Sequence, residues 1–196
     1  MRKDIKLTDE QLVSAYAAGD NAAFDTLLLR HKDRLFTYIY QMVRDSDLAD
    51  DIFQETFVKV IMTVKQGRYQ DMGKFSAWVT RIARNLVIDS FRAEKSEATI
   101  STDNEEIDIL NRRELSENTI EDAMIDLQIE DDIRSLVDCL PQVQKEVLMM
   151  RYYQDLSFKE IADITGVSIN TALGRMRYAI LNLRKMAKEN ELCLTH

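Results

Sequence analysis

The sequence has few residues that break helices and few that build catalytic or metal sites. Its 196 residues include one proline, five glycines, two cysteines and two histidines. Because proline and glycine break helices and sheet turns need them often, their scarcity favours an all-α fold. The two cysteines, Cys139 and Cys193, form neither a metal-ligand spacing nor a disulfide framework, and no glycine-rich phosphate loop is present. We therefore expect no enzyme, no metal site and no cofactor.

Long apolar runs are also absent. No run approaches the roughly 20 residues that cross a bilayer. The segment MRKDIKLTDEQLVSAY lacks the apolar core of a signal peptide. Unpaired cysteines fit a reducing compartment. These features predict a cytoplasmic protein with no membrane span.

The net charge of −8 is unevenly distributed along the chain. Residues 1–92 carry 14 basic and 13 acidic side chains, residues 93–133 carry 3 and 14, and residues 134–196 carry 9 and 7. The acidity therefore belongs to the middle segment, and both flanking parts are weakly basic. The overall charge does not exclude nucleic-acid binding.

Apolar periodicity predicts four helices in a first domain, residues 1–94. A capping-box pattern at Thr8 begins a short helix, and Gly19 suits its end. Two long apolar stripes follow, from Asn21 and from Ser46, which is placed to cap the second. Ser76 is placed to cap a fourth helix.

A linker and a second domain follow. Residues 95–119 mix Ser, Thr, Asn and acidic residues with little apolar periodicity, which predicts a flexible acidic linker. Apolar spacing returns in residues 120–196, and Pro141 suits the first turn of a helix there. The predicted fold is all-α, with two small helical domains joined by this linker.

The segment LSFKEIADITGVSINTALGRMRYAI in the second domain has the pattern of a helix-turn-helix. Ser157 and Glu160 form a capping box, Gly166 suits a left-handed turn, and Ser168 is placed to cap the next helix. Residues 168–188 hold five basic and no acidic side chains, which suits a helix in the major groove. The alternative is an ordinary amphipathic hairpin with solvated arginines.

Four stretches resemble the extracytoplasmic-function group of the bacterial sigma-70 family of RNA polymerase sigma factors. DEQLVSAYAAGDNAAFDTLLLRHKDRLFTYIYQMV looks like the start of sigma region 2, and LADDIFQETFVKV resembles its polymerase-binding helix. FSAWVTRIARNLVIDSFR is similar to the promoter-melting segment, and CLPQVQKEVLMMRYYQDLSFKEIADITGVSINTALGRMRYA resembles sigma region 4. All four occur in family order and cover nearly the whole chain. Longer sigma factors carry a further helical domain, for which this chain has no room.

The resemblance implies a factor that directs core RNA polymerase to promoters. Residues 1–94 would bind polymerase and melt the minus-10 element, and residues 120–196 would dock on the minus-35 element. The linker would set the separation of the two domains. Because relatives are commonly held inactive by an anti-sigma factor, such a protein is a further expected partner.

The resemblance and the chemistry of the same segments together indicate three groups of site residues. The polymerase-binding residues are Asp51, Gln54, Glu55 and Phe57. The minus-10 residues are Lys74, Phe75, Trp78, Arg81, Arg84 and Asn85. The minus-35 residues are Ser168, Asn170, Thr171, Gly174, Arg175 and Arg177. At Leu173 the chain departs from many relatives, which have a lysine there.

Physical chemistry supports each group and leaves alternatives open. Carboxylates at Asp51 and Glu55 share one helical strip that suits a basic partner, but a solvated acidic face has the same spacing. Unpaired DNA needs stacking surfaces and cations, although Phe75 and Trp78 could equally lie in the core. Asp89 is expected to pair with a neighbouring arginine.

Two other classes of function compete with a sigma factor. One is a sequence-specific helix-turn-helix regulator that acts without core polymerase. The other is a protein-interaction adaptor. Only the sigma factor accounts for both the QETF and the RIARN segments.

Overall fold

A computed structural model of the chain describes residues 7–69, 73–100 and 133–189. The described helices are α1 (Asp9–Ala17), α2 (Asn21–Val43), α3 (Ser46–Lys65), α4 (Phe75–Ile100), α5 (Gln142–Tyr153), α6 (Phe158–Thr165) and α7 (Ile169–Glu189). Residues 133–138 form a further short helical segment. No strand occurs in these three ranges, which confirms the all-α prediction.

Helix α1 begins and ends where the sequence predicts. The Thr8 hydroxyl accepts a hydrogen bond from the Gln11 N–H at 3.3 Å, and the Gln11 side chain accepts one from the Thr8 N–H at 2.9 Å. Gly19, just beyond the helix, has a φ of +108°, which disfavours a residue with a Cβ. The capping box and the glycine stop are therefore confirmed.

Two helix starts differ from the prediction by one residue. Asp45, and not Ser46, is the N-cap of α3, and its carboxylate accepts a hydrogen bond from the Leu48 N–H at 2.9 Å. A carboxylate also interacts favourably with the positive end of the helix dipole, which favours Asp45 as the cap. Ser76 is not a cap either, because α4 already begins at Phe75.

The first domain packs α1 to α4 around one apolar core. Helix α2 crosses its centre, with Leu27, Leu35 and Ile39 almost completely buried. Val60 of α3 and Val79 of α4 belong to the same core and are equally buried. Each such side chain contributes roughly 1.5–3 kcal/mol by its burial. The core thus fixes the relative positions of α3 and α4, which carry the predicted site residues.

Helix α4 runs six residues into the predicted linker, because residues 95–100 continue it to Ile100. The segment KSEATI contains no proline or glycine to end the helix. The remainder of the predicted linker, residues 101–119, lies outside the described residues. The same holds for residues 120–132, where the second domain was predicted to begin.

The second domain packs α5, α6 and α7 around the buried side chains of Val147, Met150 and Ile161. Pro141 was predicted in the first turn of α5 and is instead its N-cap residue, just before that turn. Its carbonyl accepts hydrogen bonds from the backbone N–H groups of Gln144 and Lys145 at 2.8 and 3.0 Å. The first N–H groups at a helix start have no acceptor within the helix, so the missing N–H of a proline costs no hydrogen bond there.

The two domains are in direct contact. Helix α2 lies against α5, and α4 lies against α6. Buried side chains of both domains join in one continuous apolar cluster. The sequence predicted two domains on a tether and gave no indication of this packing.

Candidate polymerase and nucleic-acid interfaces

The strip predicted to bind polymerase lies on the outer face of α3. Asp51, Gln54 and Glu55 are all exposed. Glu55 forms an ion pair with Lys59, with Oε1 and Nζ 3.1 Å apart, and both side chains are about half exposed. These three residues, called here the acidic strip, present oxygen acceptors to solvent. The strip is therefore accessible to a basic surface of another protein.

Phe57, predicted as a fourth polymerase contact, lies in the core instead. It is 6% exposed, and its ring packs edge-on against Phe53 and Phe24, with centroids 5.0 and 6.2 Å away. On a helix with 3.6 residues per turn, Phe57 shares the inward face with Phe53 and Val60. It therefore holds α3 in place behind the acidic strip.

The predicted minus-10 residues lie at the N-terminal part of α4, where some are exposed to solvent and others pack against neighbouring side chains. Lys74, Arg81 and Asn85 are exposed. Trp78 is half-buried, and its ring centroid lies 4.2 Å from that of Tyr69. Unpaired DNA is bound by such a combination of cations, polar edges and aromatic faces. We therefore call residues 74–85 the strand segment, after the single DNA strand that they are predicted to bind.

Phe75, predicted as a minus-10 contact, is 2% exposed and belongs to the core. Its ring lies against those of Tyr69, Trp78 and His31, with centroids 6.2, 5.9 and 5.2 Å away. The Nε2 atom of His31 lies 2.7 Å from a carboxylate oxygen of Asp9. Burial lowers the pKa of His31, although Asp9 acts in the opposite direction. Phe75 thus supports Trp78 from behind.

Arg84, also a predicted minus-10 residue, is engaged by the other domain. Its guanidinium donates two hydrogen bonds to the carboxylate of Glu146 on α5, at 2.5 and 3.3 Å. The side chains are 19% and 8% exposed. A bidentate pair in a partly desolvated position is stronger than a surface ion pair. The Nε and Nη2 atoms of Arg84 are therefore engaged by Glu146 in this arrangement.

Asp89, predicted to pair with a neighbouring arginine, does so with Arg92 of the same helix at 3.4 Å. Both side chains are largely exposed. An exposed i,i+3 pair contributes only a few tenths of a kcal/mol. Asp89 thus has a local structural role, as the sequence indicated.

Further polar contacts between the domains have no counterpart in the sequence predictions. The buried amide of Gln154 donates to the Arg34 carbonyl of α2 at 2.7 Å, and its oxygen lies 3.3 Å from the Thr80 hydroxyl of α4. Asp138 accepts from the guanidinium of Arg44 at 2.8 Å and from Lys145 at 2.8 Å. Burial lowers the pKa of Lys145, against the effect of Asp138.

The helix-turn-helix is confirmed in each of its predicted parts. Ser157 and Glu160 form the reciprocal capping box of α6, with bonds of 3.3 and 2.9 Å. Gly166 ends α6 with a φ of +69°, a left-handed conformation that strains other residues. The Ser168 hydroxyl accepts a hydrogen bond from the Thr171 N–H at 3.1 Å and so caps α7.

The first two turns of α7 present small and polar side chains outward. Ser168, Asn170, Thr171 and Arg177 are exposed, and Arg175 is partly exposed. At Gly174 a side chain would meet no atom within 4 Å, so the surface there is open. We call these six residues the reading face. It has the shape and polarity that base edges and phosphates require.

No group of three His, Cys, Asp or Glu side chains in residues 7–69, 73–100 and 133–189 could hold a metal ion. Among the helices of the same ranges, none is long and apolar enough to cross a membrane.

Two family models match the chain at the positions of the two domains. Sigma-70 region 2 matches residues 27–97, and sigma-70 region 4 matches residues 130–176. Together the matches cover more than half of the sequence. They place the acidic strip and the strand segment in region 2, and the helix-turn-helix in region 4.

Curated relatives and solved structures agree with these matches. The chain is 27% identical over 174 residues to the ECF RNA polymerase sigma factor SigW of Bacillus subtilis, covering 87% of this chain and 92% of that protein. It is 30% identical over 177 residues to the RNA polymerase sigma factor CarQ of Myxococcus xanthus, covering 89% and 94%.

The fold resembles that of the sigma factor RpoE of Bartonella quintana, solved in complex with the anti-sigma factor NepR. The TM-score is 0.67 at 22% identity, over 84% of this chain and 96% of the other. The region matches, the relatives and the two-domain helical fold lead to one conclusion. The chain belongs to the sigma-70 family, as an extracytoplasmic-function RNA polymerase sigma factor.

Proposed function

We propose that this sigma factor divides promoter recognition between its two domains. Residues 1–94 bind core RNA polymerase and the melted minus-10 element, residues 120–196 bind the minus-35 element, and residues 95–119 join them. The observation that supports this division most directly is that α3, α4 and α7 carry chemically different site residues on separate surfaces. The factor acts in the cytoplasm and catalyses no reaction itself.

The acidic strip is the proposed contact with polymerase. Asp51, Gln54 and Glu55 offer oxygen acceptors on a rigid helix, and Phe57 anchors that helix in the core. Complementary charge favours fast and specific association more than raw affinity. The partner surface on core polymerase is therefore basic.

The strand segment is the proposed contact with the melted minus-10 element. Trp78 offers an aromatic face, Asn85 a polar edge, and Lys74 and Arg81 exposed cations. Stacking on aromatic rings is worth about 1–3 kcal/mol per base. The two aromatic residues have different roles because they differ in burial: Phe75 supports Trp78 and does not touch DNA.

The reading face of α7 is the proposed contact with the minus-35 element. The N-terminus of a helix attracts phosphate through its free N–H groups and its dipole. Arg175 and Arg177 add cations, and Asn170 and Thr171 can hydrogen-bond base edges. A helix-turn-helix enters the major groove with this end of its second helix.

An anti-sigma factor is a further proposed partner. RpoE of Bartonella quintana, which has a similar fold, was solved bound to the anti-sigma factor NepR. We propose that a protein of this class holds the present factor inactive until a signal releases it.

Reconstituted transcription tests the proposal. Core RNA polymerase from the source bacterium is mixed with fragmented genomic DNA, with and without the purified chain, and transcript 5′ ends are sequenced. We expect a set of start sites that requires the chain and shares upstream sequence elements. A chain that binds duplex DNA alone and yields no such start sites is the regulator that competes with this proposal. A chain that does neither is an adaptor.

A further inference from the structure

Two large apolar side chains are exposed at the start of helix α7. Ile169 and Leu173, called here the apolar pair, are both nearly half exposed, and neither belongs to the apolar core. The inward side of the same turns is formed by Ala172, which is completely buried, and by Met176, which packs against the core. The packing of the second domain therefore does not account for large apolar side chains at these two positions.

The apolar pair lies beside the reading face. Side chains three or four residues apart on a helix are neighbours, with Cβ atoms about 5–6 Å apart. Leu173 is therefore a neighbour of Asn170 and Arg177 of the reading face, and Ile169 lies one turn before it. At Gly174, which follows Leu173, a Cβ would stand in open space, so another molecule can approach the helix backbone closely there. The apolar pair and the polar reading face thus form one continuous surface.

The charge around the apolar pair indicates which kind of surface it meets. Residues 168–188 hold five basic and no acidic side chains, which suits a polyanion. In a helix-turn-helix, the N-terminal residues of the second helix meet base edges in the major groove. Among the groups that base pairs present there, the 5-methyl group of thymine is the apolar one. An apolar side chain at this end of α7 therefore has one kind of apolar partner on DNA.

We propose that Leu173, supported by Ile169, contacts the 5-methyl group of a thymine in the minus-35 element and so determines part of the promoter specificity. This inference rests on the proposed binding of the reading face to that element. It names a base that the element must contain. The element has an A·T pair opposite Leu173, and the thymine of this pair is on the strand whose methyl group faces the side chain.

An apolar residue at position 173 discriminates between bases in a way that a cation does not. A lysine or arginine is attracted to any phosphate, and this attraction is independent of sequence. Leu173 gains free energy only where it covers another apolar group. Opposite a G·C pair it covers the N7 and O6 acceptors of guanine or the N4 donor of cytosine, which then lose water without gaining a hydrogen bond. Leu173 therefore favours thymine and also disfavours a G·C pair.

Replacement of thymine by deoxyuridine tests the contact, because it removes the methyl group and leaves every hydrogen-bonding group of the A·T pair in place. Holoenzyme is assembled from core polymerase and the full-length chain, and the promoter is taken from the chain-dependent start sites. Each thymine of the minus-35 element is replaced singly, on both strands, and competition binding gives the relative affinities. We expect one replacement to weaken binding about fourfold, as for one buried methyl group. A G·C pair at the same position should weaken it about 5-fold to 150-fold.

Variants of the chain assign the effect to Leu173. In Leu173→Ala the difference between thymine and uracil should disappear, whereas Leu181→Ala should keep it in full. Leu181 is the matched control, because it lies on the same helix two turns further on and is exposed to the same extent. Leu173→Lys should bind both duplexes more tightly and also lose the difference. Uracil also alters the duplex itself, so the contact is measured by the change in the difference between parent and Leu173→Ala.

Other outcomes contradict a thymine contact by Leu173. A minus-35 element without an A·T pair offers no methyl group, and a parent that binds every uracil-containing promoter as tightly as the original contacts none. A weakening that persists in Leu173→Ala belongs to another residue. If uracil has no effect and Leu173→Ala instead weakens assembly with core polymerase, the apolar pair binds protein and not DNA. Failure of the proposed function is distinct from all of these, because the chain then yields no start sites at all, which also removes the basis of this inference.

Discussion

Replacement of Gln54 by alanine together with Glu55 by lysine gives the sharpest test of the acidic strip. Both side chains are exposed, and within residues 7–69, 73–100 and 133–189 Glu55 is bound only by the surface pair with Lys59. Such a pair contributes about 0.3–0.5 kcal/mol, and exposed substitutions rarely change stability by more than about 0.5 kcal/mol. We therefore expect the double variant to keep the fold and its free energy of unfolding.

The effect on polymerase binding should be much larger. Two unit charges 4 Å apart interact by about 4 kcal/mol at an effective dielectric constant of about 20. The variant removes one attraction and adds one repulsion against a basic surface, and residual hydration reduces both. A net loss of about 2–4 kcal/mol follows, which raises the Kd for core polymerase about 30-fold to 1,000-fold.

Equilibrium binding of the fluorescently labelled factor to core polymerase measures this Kd, at several salt concentrations. Glu94→Lys is the matched control, because it reverses one exposed charge of the same domain on α4 and not on α3. The control should stay within about threefold of the parent, since salt screens distant charges. A double variant that binds as tightly as Glu94→Lys would show that the strip is only a solvated face.

Four further predictions concern stability and DNA binding. Ile161→Ala should destabilise the second domain by about 2–5 kcal/mol, seen as a lower melting temperature, because Ile161 is completely buried. Arg81→Ala should impair opening of a duplex promoter more than Arg68→Ala, and a pre-melted promoter should restore transcription; equal opening by both variants contradicts this. Arg175→Ala should cost about 1–3 kcal/mol on a matched minus-35 duplex if it reads a base, whereas Leu173→Lys should strengthen binding to any duplex and steepen its salt dependence.

Local patterns explain why the helix-turn-helix could be predicted in detail. The capping box joins Ser157 and Glu160 three residues apart, and Ser168 caps α7 through Thr171, again three residues away. Gly166 meets a conformational requirement of its own backbone. All of these signals act within one or two helical turns, so the sequence displays them directly.

The domain interface could not be predicted, because its partners are distant in sequence. Arg84 and Glu146 lie 62 positions apart, and the Gln154 amide reaches a carbonyl 120 positions away. No periodicity or spacing records such a pairing. A local hint was that two charged residues of α5, Lys145 and Glu146, lie on its buried side.

Burial of two predicted contact residues could have been inferred from helical spacing. Phe57 follows Phe53 by four positions and precedes Val60 by three, which places it on the inward stripe of α3. Phe75 likewise precedes Val79 by four positions on α4. Resemblance to a motif indicates which positions belong to a functional segment. Whether a side chain at such a position is exposed depends on the face of the helix on which it lies. The two kinds of reasoning have to be combined for each aromatic residue.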